Sequence, residues 1–146
     1  MESIRQSHFR ALTSAAVALE TITDVLAIHR DCGTVALIEH RRDRHGIAMP
    51  IEGPDPGPDH LIMLDDLLLR AVGDDPGARL VFASVRMLGA DGGVVAEADI
   101  ETWRRLVANH ENHACDLVDW FLVDPVEGEA RSLAETAGPQ PDWAAA

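Results

Sequence analysis

The chain has no lysine, no tyrosine and only two cysteines. Each absence removes a chemistry. Without lysine there is no P-loop amine to grip a phosphate, no Schiff-base partner for pyridoxal phosphate and no lysine general base. Without tyrosine no phenol can donate a proton. Cys32 and Cys115 are too few for a four-cysteine zinc site or a disulfide scaffold, and too far apart for a C-x-x-C redox pair. Such thiol usage suits a reducing compartment. No uncharged apolar run approaches the roughly 18 residues a membrane span requires. The alanine-rich residues 11–19, behind Arg5 and Arg10, imitate a leader. Glu20 and Asp24 interrupt that run, so it is read as part of the folded protein, and a cytoplasmic location is expected.

What is present fits one domain: 146 residues and 15.8 kDa, 47% hydrophobic. Twelve basic residues, all arginine, face 25 acidic ones, for a formal charge of −13. The excess is uneven. Residues 1–60 carry 6 − 9 = −3 and residues 61–146 carry 6 − 16 = −10. Nucleic acid is therefore an unfavourable partner, because its binding draws on cationic neutralisation of the phosphate backbone. The exception is His40-Arg41-Arg42-Asp43-Arg44-His45, which reads as a solvated hairpin turn or as a site for an anionic partner.

Periodicity predicts a helix over 14–29, ended by Gly33 in a left-handed cap, then a strand over 34–40. A turn over 41–46 and a strand over 47–52 complete a hairpin, which the prolines of 53–58 terminate. Residues 61–72 form a wide apolar stripe and a second helix. The nearly all-apolar run 79–85 suits a buried central strand. After a glycine-bearing loop over 88–93, residues 96–112 form a third helix with Glu97, Asp99 and Glu101 in its first turn, where the helix dipole favours negative charge. Residues 116–123 form the last strand, and 125–146 read as a polar, flexible tail. The order α-β-β-α-β-α-β argues for an α/β fold, an α+β sandwich with a mixed central sheet flanked by helices.

Particular strings add a resemblance. Ala98-Asp-Ile-Glu-Thr-Trp-Arg-Arg-Leu-Val107 followed by Leu117-Val-Asp-Trp-Phe-Leu-Val123 resembles the "ADI…RRLV" helix and "LLDHLIV" strand of the RadC-like branch of the JAB/MPN metalloprotease family. Residues 67–85 resemble that family's preceding helix and buried strand, and the likeness spans residues 18–123. It implies a single domain over residues 1–124 of cytidine-deaminase-like architecture. It also implies a site motif, H-x-H-P-S-G then S-x-x-D with an upstream glutamate, in which two histidines and an aspartate hold zinc and the glutamate serves its bound water. Three protein ligands and one open position are what hydrolytic zinc requires.

In this sequence the resemblance places Ser84 and Arg86 where the histidines stand, Asp99 at the aspartate and Ala96 at the serine. Arginine stays protonated and offers no lone pair to a metal. Pro50 falls near the base position, with Glu52 and Glu39 as the carboxylates at hand. The implied zinc is therefore not expected, and Arg86 is expected to pair with Asp99 in the metal's place or, with Arg79 and Ser84, to form an anion pocket.

Other residues offer alternatives. His110 and His113, three apart, have ligand-like spacing but read first as polar groups at a helix end and in a surface loop. Trp103 and Trp120 are core candidates, and Trp143 is either disordered or available to a partner. The expected function is that of a RadC-like pseudoenzyme, a protein-interaction or regulatory module whose partners include a second copy of itself. The first alternative is a zinc metallohydrolase, a peptidase or isopeptidase, with substitute ligands among Asp99, His110, His113 and Glu52. The second is a DNA-repair-associated binding protein using Arg41, Arg42 and Arg44.

Overall fold

In a computed structural model, residues 7–9, 12–41, 44–55, 57–72, 75–87, 95–139 and 143 are described. Their elements in chain order are β1 (Ser7–Phe9), α1 (Ala15–Ile28), β2 (Cys32–Glu39), β3 (Gly46–Glu52), α2 (Pro58–Val72), β4 (Arg79–Val85), α3 (Glu97–His110), β5 (Asp116–Asp124), β6 (Glu129–Ser132) and α4 (Leu133–Ala137). The six strands form one sheet in the order β1-β3-β2-β4-β5-β6. Only β4 and β5 run parallel, and α3 makes the crossover that parallel neighbours require. The chain is thus mixed α/β, with a mixed sheet flanked by helices, as its element order predicts.

Local chemistry explains the boundaries. The Ser14 hydroxyl accepts the Val17 N–H at 3.2 Å and starts α1. Gly33 does not cap that helix. It lies inside β2, where an added Cβ would come within 2.3 Å of the Gly53 carbonyl, so close backbone approach is what requires glycine there. Proline at the first position of α2 loses nothing, because its missing N–H would have had no partner within the helix. The predicted loop over 88–93 lies outside the described residues.

Alternation along the strands divides the core into two layers. Leu80, Phe82, Trp120 and Leu122 face α2, α3 and α4, in a cluster with Leu68, Trp103 and Leu106. Val81, Ala83, Phe121 and Val123 face the other way, toward Ile22, Val25 and Leu26 of α1. Trp103 and Trp120 are both buried.

The expected tail beyond residue 124 is not a tail over its described part. Gly128, at φ +71°, helps turn the chain back so that β6 pairs antiparallel to β5, and α4 then buries Leu133 and Ala134 in the same cluster as Trp103. Composition misled here because Glu129 and Arg131 lie on a sheet edge and are polar without being disordered. The buried Asp119 carboxylate holds this corner, accepting the Ser132 hydroxyl at 2.5 Å and the Ala134 N–H at 3.0 Å. Burial raises its pKa against the opposing pull of those donors. Trp143 likewise packs within the chain, stacked on Phe121 with ring centroids 6.3 Å apart.

Candidate functional site

Strand β4 delivers Ser84 and, one residue past its end, Arg86 to the face that α3 covers, because residues two apart on a strand share a side. The helix in turn presents Asp99 from its first turn. The Arg86 guanidinium donates from Nη1 to Asp99 Oδ1, and from Nε to Asp55 Oδ2 at 2.9 Å. It also lies over the Trp120 ring, 5.7 Å from the centroid, where the π face attracts a cation. Beneath it the Trp120 indole N–H donates to the Ser84 hydroxyl at 2.9 Å. The carboxylates are fixed from behind: Asp99 Oδ2 accepts the Ala96 N–H at 3.3 Å and Asp55 Oδ1 accepts the Gly57 N–H at 3.1 Å. Ala96 has no hydroxyl to cap α3, so Asp99 supplies the reciprocal half of a capping box alone.

Partial burial works against the Arg86 charge, but the hydrogen bonds and charges of Asp99 and Asp55 outweigh it and raise the guanidinium pKa. Arg86 is a permanent cation here. The residues present do not fit a zinc ion at this position. The Asp99 oxygen that a metal would take faces a guanidinium, and Ser84 Oγ already accepts the Trp120 indole. Among the described residues no group of three or more histidine, cysteine or carboxylate side chains is arranged to hold a metal.

The substitute ligands are not brought together. Asp99 and His110 lie eleven residues apart on α3, about 16 Å along the axis. Glu52 is exposed at the end of β3. Glu39 lies toward the opposite end of β2 and is buried against Arg79, with Nε to Oε1 at 3.0 Å. His113 is exposed beside Asp66 and Arg70. His110 stands at the helix end, as expected, but is buried there: only 8% of it is exposed. Its Nε2 faces Asp65 Oδ1 at 2.6 Å and its Nδ1 faces the Cys115 carbonyl at 2.9 Å. The Cys115 carbonyl can only accept and a carboxylate at Asp65 accepts as well, so the two contacts favour a ring with hydrogens on both nitrogens. Burial lowers its pKa, but the bonds to Asp65 and Cys115 and the charges of Asp65 and Asp116 prevail and raise it.

Both cysteines are free and buried, and burial favours their protonated thiols. Burial, reinforced by the charges of Asp65, Asp116 and Asp75, pushes the Cys115 thiol up to about 12, and burial also raises Cys32. The basic cluster is partly neutralised from within: His40 faces Asp75 at 2.9 Å and Arg44 faces Glu39 at 3.5 Å, while Arg42 and Asp43 lie outside the described residues.

Sequence reasoning missed Asp55 and Asp65. Asp55 sits among prolines and glycines that read only as a turn. For Asp65 a signal existed: it lies four residues after Leu61 and three before Leu68, a carboxylate in the middle of the buried stripe of α2. No family model, curated protein or solved structure matches the chain.

Proposed function

We propose that this chain is a RadC-like domain of JAB/MPN, cytidine-deaminase-like architecture that has exchanged its metal for an arginine and acts as a non-catalytic, cytoplasmic protein-interaction or regulatory module. Its support is the Arg86 guanidinium clasped by Asp99 and Asp55 at the place where the resemblance puts a zinc ligand. A cation bound to two carboxylates replaces the charge of a metal without its Lewis acidity, so the corner keeps its shape but has no means of activating water. Its partners are proteins, a second copy of the chain included. Met63 and Leu67, more than half exposed on α2 beside Ile51 and Pro54, offer them apolar contact. No helix among the described residues is long and apolar enough to cross a membrane.

No specific observation favours the alternatives. The substitute metal ligands are dispersed, and the arginine cluster that would hold DNA sits in a chain of charge −13. The deciding measurement is elemental analysis of the untagged protein after incubation with zinc and desalting, beside Asp99→Ala. The expected result is less than a tenth of a zinc per chain in both proteins. Near one zinc per chain, lost in Asp99→Ala, overturns the proposal and restores the metallohydrolase.

A further inference from the structure

On the other face of the sheet, beside the C-terminal half of α1, a groove of about 500 Å³ opens between the helix and the β5–β6 turn. Its walls are apolar: Leu19, Leu26 and Ala27 from the helix, Val85 and Val123 from the sheet, and Val126, 83% exposed, from the turn. The volume lies within the range of small-molecule pockets, which are mostly apolar with a few polar groups to fix orientation. It also lies at the carboxyl ends of the parallel pair β4 and β5, where open α/β sheets bind ligands.

The polar lining narrows the class of ligand. Thr23 donates its hydroxyl to the Leu19 carbonyl at 2.8 Å. Asp124 accepts the N–H groups of Val126 and Glu127, each at 3.1 Å, and so shapes the turn. Glu129 pairs with Arg131 at 3.2 Å. Arg30 remains: it lines the groove, is exposed, and makes no ion pair among the described residues. In a chain with twice as many carboxylates as guanidiniums, an arginine that lines an apolar groove and has no ion pair among the described residues complements one anionic head on an apolar body.

We propose that this groove binds a linear aliphatic carboxylate, its chain along Leu19, Leu26, Val85 and Val123 and its head on Arg30. The groove is on the opposite face of the sheet from Asp99, so it can be tested separately from the Arg86 corner.

The test is isothermal titration calorimetry of the full chain with decanoate below its micellar concentration, repeated with decylamine, on wild type, Arg30→Glu and Ala27→Trp. Arg30 and Ala27 are both exposed, so the fold tolerates either change, and circular dichroism verifies it. The expected result is one decanoate per chain, affinity at least tenfold lower in Arg30→Glu, no binding in Ala27→Trp, and no saturable binding of decylamine. Binding that is unsaturable, unchanged in both variants or equal for the amine overturns the proposal. So does the absence of decanoate binding with a dimer in sedimentation that Ala27→Trp abolishes, which assigns the groove to a second copy of the chain.

Discussion

Among the described residues three helices cover one face of the sheet and one helix covers the other. Beneath α2, α3 and α4 the buried residues form one cluster from Ala36 to Ala134, and the polar groups caught under those helices, Asp65, Asp99 and His110, each have a partner. On the opposite face α1, the buried Leu12 ahead of it and the partly buried Trp143 pack against the sheet. Its buried charges include Glu39 and Arg79 at one end, where Arg79 also donates to the carbonyls of Leu12 and Trp143, and Asp124 at the other, where it accepts the N–H groups of Val126 and Glu127. At that other end the groove opens beside Asp124. On both faces, then, buried charge has a fixed partner. A helix laid over a polar side chain removes water from it, and only a fixed partner offsets the loss. The three-helix face should respond severely to the loss of a single polar group, and the α1 face should respond mildly to the loss of apolar contact.

The largest effect is expected at Asp65. Replacing it with alanine leaves the His110 imidazolium buried without its counter-charge, and breaking a buried pair from one side typically costs about 3–5 kcal/mol. Urea unfolding of Asp65→Ala at pH 6 measures it. A loss below about 1 kcal/mol would mean that water reaches His110, and that the three-helix face is no tighter than the other.

The same pair makes stability depend on pH. The folded chain holds the His110 proton more tightly than the unfolded chain does, because the folded pKa lies above the ordinary value near 6.5. Its stabilisation is therefore complete below about pH 6.5 and is lost as pH rises through the folded value. Of the neighbouring groups, Asp65 and Asp116 supply negative charge, and Cys115, with its pKa near 12, stays neutral throughout. Urea midpoints of wild type should fall between pH 6 and pH 9 by more than those of His110→Gln. Parallel profiles for the two proteins would show that His110 is not the titrating group.

On the α1 face, Trp143→Ala should cost about 1–2 kcal/mol, less than full burial of a large apolar side chain provides, because the ring is only partly buried where it stacks on Phe121 and packs against the cluster. Thermal denaturation with near-ultraviolet circular dichroism reads both the stability and the ring's environment. A cost equal to that of Asp65→Ala would erase the difference between the faces.

Much of this layout was legible in the chain. Elements with a long, clear period, such as the stripe of α2 and the apolar run of β4, lie where the pattern puts them, because burial on one face imposes the period. The approach of Arg86 to Asp99 was also legible, through a resemblance rather than through spacing. What escaped is what long-range contact decides. The three-residue β1 and the four-residue β6 are too short to show a period and exist because a neighbouring strand offers a free edge. Asp55 reaches Arg86 across 31 residues and Asp65 reaches His110 across 45, so neither partnership leaves a local signature. Trp143 looked free because nothing near it in sequence is apolar enough to receive it, and Phe121 does so from 22 positions away.

The smallest effect sharpens the comparison from the outside. Arg105 and Asp59 join α3 to α2 across the surface of the three-helix face at 3.4 Å, with half of the arginine side chain and most of the aspartate side chain in water. Exposed pairs of this kind contribute about 0–1 kcal/mol, because solvent and salt screen the attraction and two long side chains lose freedom to form it. Arg105→Ala should therefore shift the urea midpoint by an amount near the error of measurement, and 0.5 M sodium chloride should leave wild type and variant indistinguishable. Asp65→Ala, buried between the same two helices, should remain costly in that salt, because a buried pair is screened far less. If the two substitutions instead responded alike to salt, the stability of this face would come from its surface charges, and the coverage by three helices would no longer explain why its polar groups are paired.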